Sequence, residues 1–196
     1  MMKIYSKVLF PLLLLLITSG CVSDKINMYG RFVGVYEKYD ETIHSLTKYL
    51  GSEKSLEPQE KAAYLLLIGL AYQKKLALKQ SMEYYDQSLE ASHEFNYFAL
   101  LQKADICRLE NNYDNEMEYL KLAVKDIQIL LSKIKSNSLS ETEIEWDKKL
   151  EFVISYYINK EDIEAVKQPY STILENKIMK IENIIKSRVG ISKSPR

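Results

Sequence analysis

The chain has 196 residues, of which 46% are apolar, and 27 basic side chains balance 27 acidic ones. That length supports one compact domain with a substantial core, and the neutral balance excludes the electrostatic footprint of a nucleic-acid binder. Six glycines and four prolines are too few for a disordered or low-complexity chain.

At the amino end Lys3 and Lys7 precede an apolar run from Val8 to Ile17, the arrangement of a secretory signal peptide over residues 1–20. The run falls short of the roughly 20 apolar residues that span a bilayer. It ends in Thr18-Ser19-Gly20-Cys21, which resembles the lipobox of bacterial lipoproteins, with Thr18 where that family usually has leucine. The resemblance implies cleavage before Cys21 and lipid attachment at Cys21 through palmitate-type acyl chains. An ordinary cleaved leader and an uncleaved anchor are the alternatives. At ~0.8 kcal/mol per buried methylene, two or three chains hold a protein stably at a membrane without a transmembrane helix. Val22 follows, not the aspartate that retains some lipoproteins at the inner membrane, so the resemblance points to the outer membrane, facing the periplasm. The other cysteine, Cys107, falls in an amphipathic segment, so no disulfide framework is implied.

Residues 21–28 read as a short polar tether. Phe32, Tyr36, Tyr39, Ile43, Leu46 and Leu50 then recur at helical spacing and predict one helix from Tyr29 to Leu50, with Gly51 as its C-cap. Pro58 suits a first helical position and opens a second helix to about Lys75. A third is expected over 78–92, a fourth over 95–110, and a fifth capped by Asp114 and running to about Lys135. Ser140 and Glu143 form a capping box for a sixth helix through Leu150, Val153 and Tyr157. Asn159 ends that helix, and the last is expected over 161–188, kinked or restarted at Pro169, before a flexible tail over 190–196. No alternating strand pattern occurs, so the fold class expected is all-α, with a helical domain over 29–189 of about six to seven helices.

A shift of 35 residues aligns Leu65 with Leu100, Leu66 with Leu101, Met82 with Met117, Glu83 with Glu118 and Tyr84 with Tyr119. Identities on both helices of a pair indicate an internal repeat. Leu65, Gly69 and Tyr72, followed by Ser81, Tyr85 and Ser88, and then Ala104, Cys107, Leu120 and Ala123, make the region 60–126 resemble tetratricopeptide-repeat (TPR) proteins. A third unit over 144–176 is weaker, because Pro169 intrudes. The resemblance implies antiparallel helix pairs stacked as a short α-solenoid, with small residues where helices approach closely.

No P-loop, dinucleotide fingerprint, nucleophile elbow or zinc spacing is present, and His44 and His93 lie in separate segments. No catalysis, cofactor or metal is therefore expected. Acidic clusters such as Glu141/Glu143/Glu145 fall at helix starts, where they complement the macrodipole. The TPR resemblance implies partner binding on the inner helices: Ala63, Leu66, Leu70, Gln73 and Lys74, then Phe98, Leu101, Asp105, Arg108 and Leu109. Leucines replace the lysine and asparagine of the family's carboxylate clamp, and those leucines could equally be core.

Together these features lead to an expected function: a lipid-anchored, non-catalytic protein–protein interaction module of the bacterial cell envelope, a scaffold or assembly accessory factor whose partners are the membrane and another envelope protein or peptide. The alternatives are a binder of a small envelope ligand or glycan, an enzyme with an inter-helix pocket, and a surface lipoprotein acting on a host.

Overall fold

The computed structural model describes residues 25–53, 55–92, 96–160 and 167–192. The expected signal peptide, Cys21, His93 and most of the expected tail lie outside the described residues. What is described is all-α, eight helices packed on one another with no strand among them. They are α1 (25–34), α2 (Tyr39–Ser52), α3 (Pro58–Lys74), α4 (Leu78–Ser92), α5 (Tyr97–Leu109), α6 (Tyr113–Lys135), α7 (Glu141–Phe152) and α8 (Tyr170–Ser192). α7 runs on into a π-helical segment, Val153–Ile158.

The centre is built from two helix hairpins, α3–α4 and α5–α6. Glycine at position 69 lets α4 come close: a Cβ there would lie 2.5 Å from Tyr85 Cε1. Around that contact Ser81 Oγ donates to the Gly69 carbonyl at 2.8 Å and Ser88 Oγ to the Ala62 carbonyl at 2.7 Å. Both hydroxyls are buried, so each bond also removes the cost of an unpaired polar group.

The 35-residue repeat is structural. Gly69 and Ala104, Tyr85 and Leu120, Ser88 and Ala123, and Ser81 and Glu116 are buried at equivalent places. The turns match as well. Leu76 and Asn111 both take left-handed φ, 60° in each case. The Ala77 N–H donates to the Tyr72 carbonyl at 3.0 Å, and the Asn112 N–H to the Cys107 carbonyl at 2.8 Å. With the Leu76-to-Gln73 and Asn111-to-Arg108 bonds, each is a Schellman motif that closes the orphan carbonyls of a helix end. α6 ends the same way at Asn137. Asn96 caps α5 and joins the hairpins: its side chain accepts from the Ala99 N–H and donates to Ser88, while its own N–H donates to Asp126.

α2 packs on α3, α7 also reaches α3, and α8 runs antiparallel along α6, with Lys135 beside Glu175 and Arg188 beside Glu116. The helix expected over Tyr29–Leu50 is instead two. Lys25, inside the expected tether and the first described residue, is already helical, and the helix breaks at residues 35–38, where Glu37 adopts φ 54°. Gly51 is no C-cap: it lies within the last turn of α2, and no glycine has positive φ among the described residues. Asn112, not Asp114, caps α6. The Ser140–Glu143 capping box forms as expected. Pro169 precedes α8, its carbonyl accepting from the Ile173 N–H, and the helix passes the expected end at Arg188 to reach Ser192.

Candidate binding sites

The inner-face residues divide. Leu66, Leu70 and Phe98 are 0%, 1% and 2% exposed, and Ala63 is buried with them. These are packing residues, not the lining of a groove, because the C-terminal helices fill the face that an open solenoid would leave free. α7 packs on α3, and Lys177 of α8 stands over the Tyr97 and Phe98 rings at 5.5 and 5.7 Å. Leu101 is half-buried and borders a depression against α8.

Gln73, Lys74, Asp105 and Arg108 collect at the carboxyl ends of α3 and α5. Gln73 accepts a hydrogen bond from the Tyr85 hydroxyl, and Arg108 pairs with Asp105 at 2.7 Å. Burial raises the Asp105 carboxyl above the usual carboxylate range, while Arg108 and Lys74 pull it back. Lys74 and Arg108 are exposed, as is Leu109 beside them. This polar end, with Leu101, is the part of the expected surface that a partner can reach.

A second site was not expected. A cavity of about 680 Å³ opens between α1, α7 and α8, with Arg31, Lys148, Lys149, Phe152, Tyr157 and Tyr170 among its lining. Two glycines four residues apart on α1 let that helix come close to α7's π-helical end. A Cβ on Gly30 would lie 2.4 Å from Val153 Cγ1, and one on Gly34 2.2 Å from the Tyr157 carbonyl oxygen, so α1 lies directly on the π segment. π-helical turns of this kind recur at functional sites. Arg31 Nε donates to the Tyr157 hydroxyl at 3.1 Å, and Lys160 donates to the Gly34 carbonyl.

Glu151 lines the same cavity but is only 2% exposed. It accepts from the Tyr97 hydroxyl at 2.7 Å, the Ser155 hydroxyl at 2.5 Å and Lys177 Nζ at 2.9 Å. Burial alone would push its carboxyl up, yet Lys177 and the two hydroxyls outweigh burial and hold it below the ordinary range. Asp147, one turn earlier on α7, gains no such bonds. Burial and the nearby charge of Glu151 push it up to about 7. The cluster is thus one fixed anion with its cation, beside a carboxyl that titrates near neutrality.

Sequence reasoning missed this region, although two signals were present: the Gly30/Gly34 spacing, and Glu151 standing inside the apolar stretch Leu150–Ile154. The remaining histidine, His44, is exposed and borders an open depression beside the stacked rings of Tyr72 and Tyr84, 5.4 Å apart. No group of His, Cys, Asp and Glu suited to a metal occurs among the described residues, and no described helix is long and apolar enough to cross a membrane. No family model, curated protein or solved structure matches the chain significantly.

Proposed function

We propose that the chain is a lipid-anchored, non-catalytic protein–protein interaction module of the bacterial cell envelope, a scaffold or assembly accessory factor held at the outer membrane by acylated Cys21 and facing the periplasm. The observation that carries this reading is the recurrence, 35 residues apart, of the same buried pattern and the same Schellman turn. Stacked hairpins of this kind are TPR-like, and such arrays serve to hold other proteins. The lipobox-like Thr18-Ser19-Gly20-Cys21 supports the address.

The partner surface is the polar end formed by Gln73, Lys74, Asp105 and Arg108, with Leu109 beside it. Photo-cross-linking from positions 74 and 108 in native membranes tests it: the expected result is a discrete adduct with one envelope protein, lost in Arg108→Glu. Adducts no more specific than those from exposed Lys79 would overturn the reading. Metabolic labelling with a fatty-acid probe in wild type and Cys21→Ser tests the anchor separately.

The cavity between α1, α7 and α8 favours a second reading, in which the chain binds a small envelope ligand. Under that reading, substitutions lining the cavity abolish function while Arg108→Glu leaves it intact.

A further inference from the structure

We propose that the cavity between α1, α7 and α8 binds the phosphate-bearing headgroup of an anionic lipid in the membrane that anchors the chain; this rests on the reading of Cys21 as acylated. Charge and covalent reach carry the inference together.

Arg31 is oriented by a phenol and not by a carboxylate: its Nε donates to the Tyr157 hydroxyl at 3.1 Å and its guanidinium lies 5.4 Å from the centre of that ring. A neutral partner fixes the fork without cancelling its charge, and the two outward nitrogens stay available for a bidentate phosphate contact. Lys148 is exposed and pairs with no carboxylate among the described residues. Of the acids at the cavity, Glu151 is already neutralised by Lys177 at 2.9 Å and Glu145 faces Lys149 at 3.6 Å. Among the described residues the cavity is therefore left with uncancelled positive charge at its mouth and aromatic walls.

Location then selects the anion. Asn27 lines the cavity, and six residue steps from Cys21 span at most about 20 Å, less because residues 25–27 are already helical. α1 cannot swing away on a hinge, because Gly30 and Gly34 seat it on Val153 and Tyr157. An acylated Cys21 thus keeps this cavity at the headgroup layer, where anionic lipid is the most concentrated phosphate.

Trp146, the single tryptophan, lies on α7 two residues before Lys148 and reports on the site without labelling. The full-length lipidated protein is reconstituted in vesicles of phosphatidylcholine, alone or containing phosphatidylglycerol, and Trp146 emission is read. The expected result is a shift that depends on phosphatidylglycerol, with the amount needed for half the change rising about fivefold per removed charge in Lys148→Gln and again in Arg31→Gln/Lys148→Gln. Lys148→Gln removes no hydrogen bond or ion pair among the described residues, so a folding defect is not expected to mimic the loss. No dependence on phosphatidylglycerol overturns the proposal. An equal shift from millimolar inorganic phosphate in pure phosphatidylcholine overturns the lipid as the source. Mass spectrometry of Cys21 separates the two readings. Unacylated protein that still floats with phosphatidylglycerol vesicles, and loses this in Lys148→Gln, would sink the anchor and keep the cavity's ligand; acylated protein indifferent to phosphatidylglycerol does the reverse.

Discussion

In the α3–α6 half the places come in matched copies: Gly69 lies against Tyr85, Ala104 and Leu120 are buried at the equivalent positions, and Leu76 and Asn111 turn the chain alike. In the half made by α1, α7 and α8 each contact is made once: Gly30 and Gly34 on the π segment, and Glu151 clasped by Tyr97, Ser155 and Lys177. The repeated half is held mainly by apolar packing and closed turns, whose cost of failure is spread over two units. The repeated half also buries charge, but at separate places, Glu60, Lys103 and Glu116; the unrepeated half gathers Glu151, Lys177 and Asp147 at one point, which makes it the more responsive to pH.

That contrast is broken hardest at Glu151. Glu151→Ala leaves Lys177 without its partner in a site that is 15% exposed on the lysine side, and stranding one member of a buried pair costs about 3–5 kcal/mol. Urea unfolding of the detergent-solubilised protein is expected to show that loss. Glu151→Ala/Lys177→Met is expected to recover part of it, since removing both charges leaves neither stranded. A loss below about 1 kcal/mol for the single change would mean that water reaches the pair freely.

The titration of Asp147 comes next. Its carboxyl is pushed up to about 7 in the folded protein against ~3.9 in an unfolded chain, so the native state holds a proton that the unfolded state has lost between those values. Stability therefore falls as pH rises from about 4 to about 7, by up to roughly 1.4 kcal/mol per pH unit, and the penalty is complete above the folded pKa. Asp147→Asn removes the penalty: the variant is expected to match wild type near pH 4 and exceed it by about 2–4 kcal/mol at pH 8. Parallel unfolding curves for the two proteins across this range would contradict the burial of that carboxyl.

The two glycine contacts give a direct comparison between the halves. Gly34→Ala places a methyl against the Tyr157 backbone, which cannot rotate away, whereas Gly69→Ala meets the Tyr85 ring. Overpacking costs typically 1–3 kcal/mol, and the larger value is expected for Gly34. Hydrogen exchange distinguishes them further: Gly34→Ala is expected to expose α1 and the π segment while α3–α6 stays protected, and Gly69→Ala to loosen the α3–α4 hairpin.

What could be read in the residues follows the same division. The α3–α4 and α5–α6 helices, their 35-residue offset and the Ser140–Glu143 box are local patterns, and local patterns survive in one dimension. The break at Glu37 was hidden because Phe32, Tyr36 and Tyr39 keep helical spacing across it; the chain bends there so that α1 can lie on the π segment while α2 packs on α3. The TPR resemblance puts Leu66, Leu70 and Phe98 on the inner face and leaves the leucines open between groove and core. Whether an inner face stays open depends on what later helices do, and here α7 and α8 cover it. Glu151 was legible only as an acid among apolar neighbours; its partners come from α5 and α8 and lie 54 and 26 residues away along the chain.

The smallest effect tests whether the repeated half is as redundant as its matched turns suggest. Leu76 occupies the left-handed position of the α3 Schellman motif with 77% of its surface exposed, so its side chain gains little packing in return for an unfavourable backbone. Asn111, at the equivalent place in the second unit, is a residue type that tolerates this conformation. Leu76→Asn is therefore expected to stabilise the protein by about 0.5–1 kcal/mol, near the low end of the ~1–2 kcal/mol cost of that conformation for ordinary residues. Asn111→Leu is expected to lose a similar amount, so that exchanging the two residues leaves stability unchanged within measurement. Should Leu76→Asn destabilise instead, the exposed leucine must be gaining something from a contact outside the chain, and the carboxyl ends of α3 and α5, where Lys74, Arg108 and Leu109 also stand, would be the place to look for the partner.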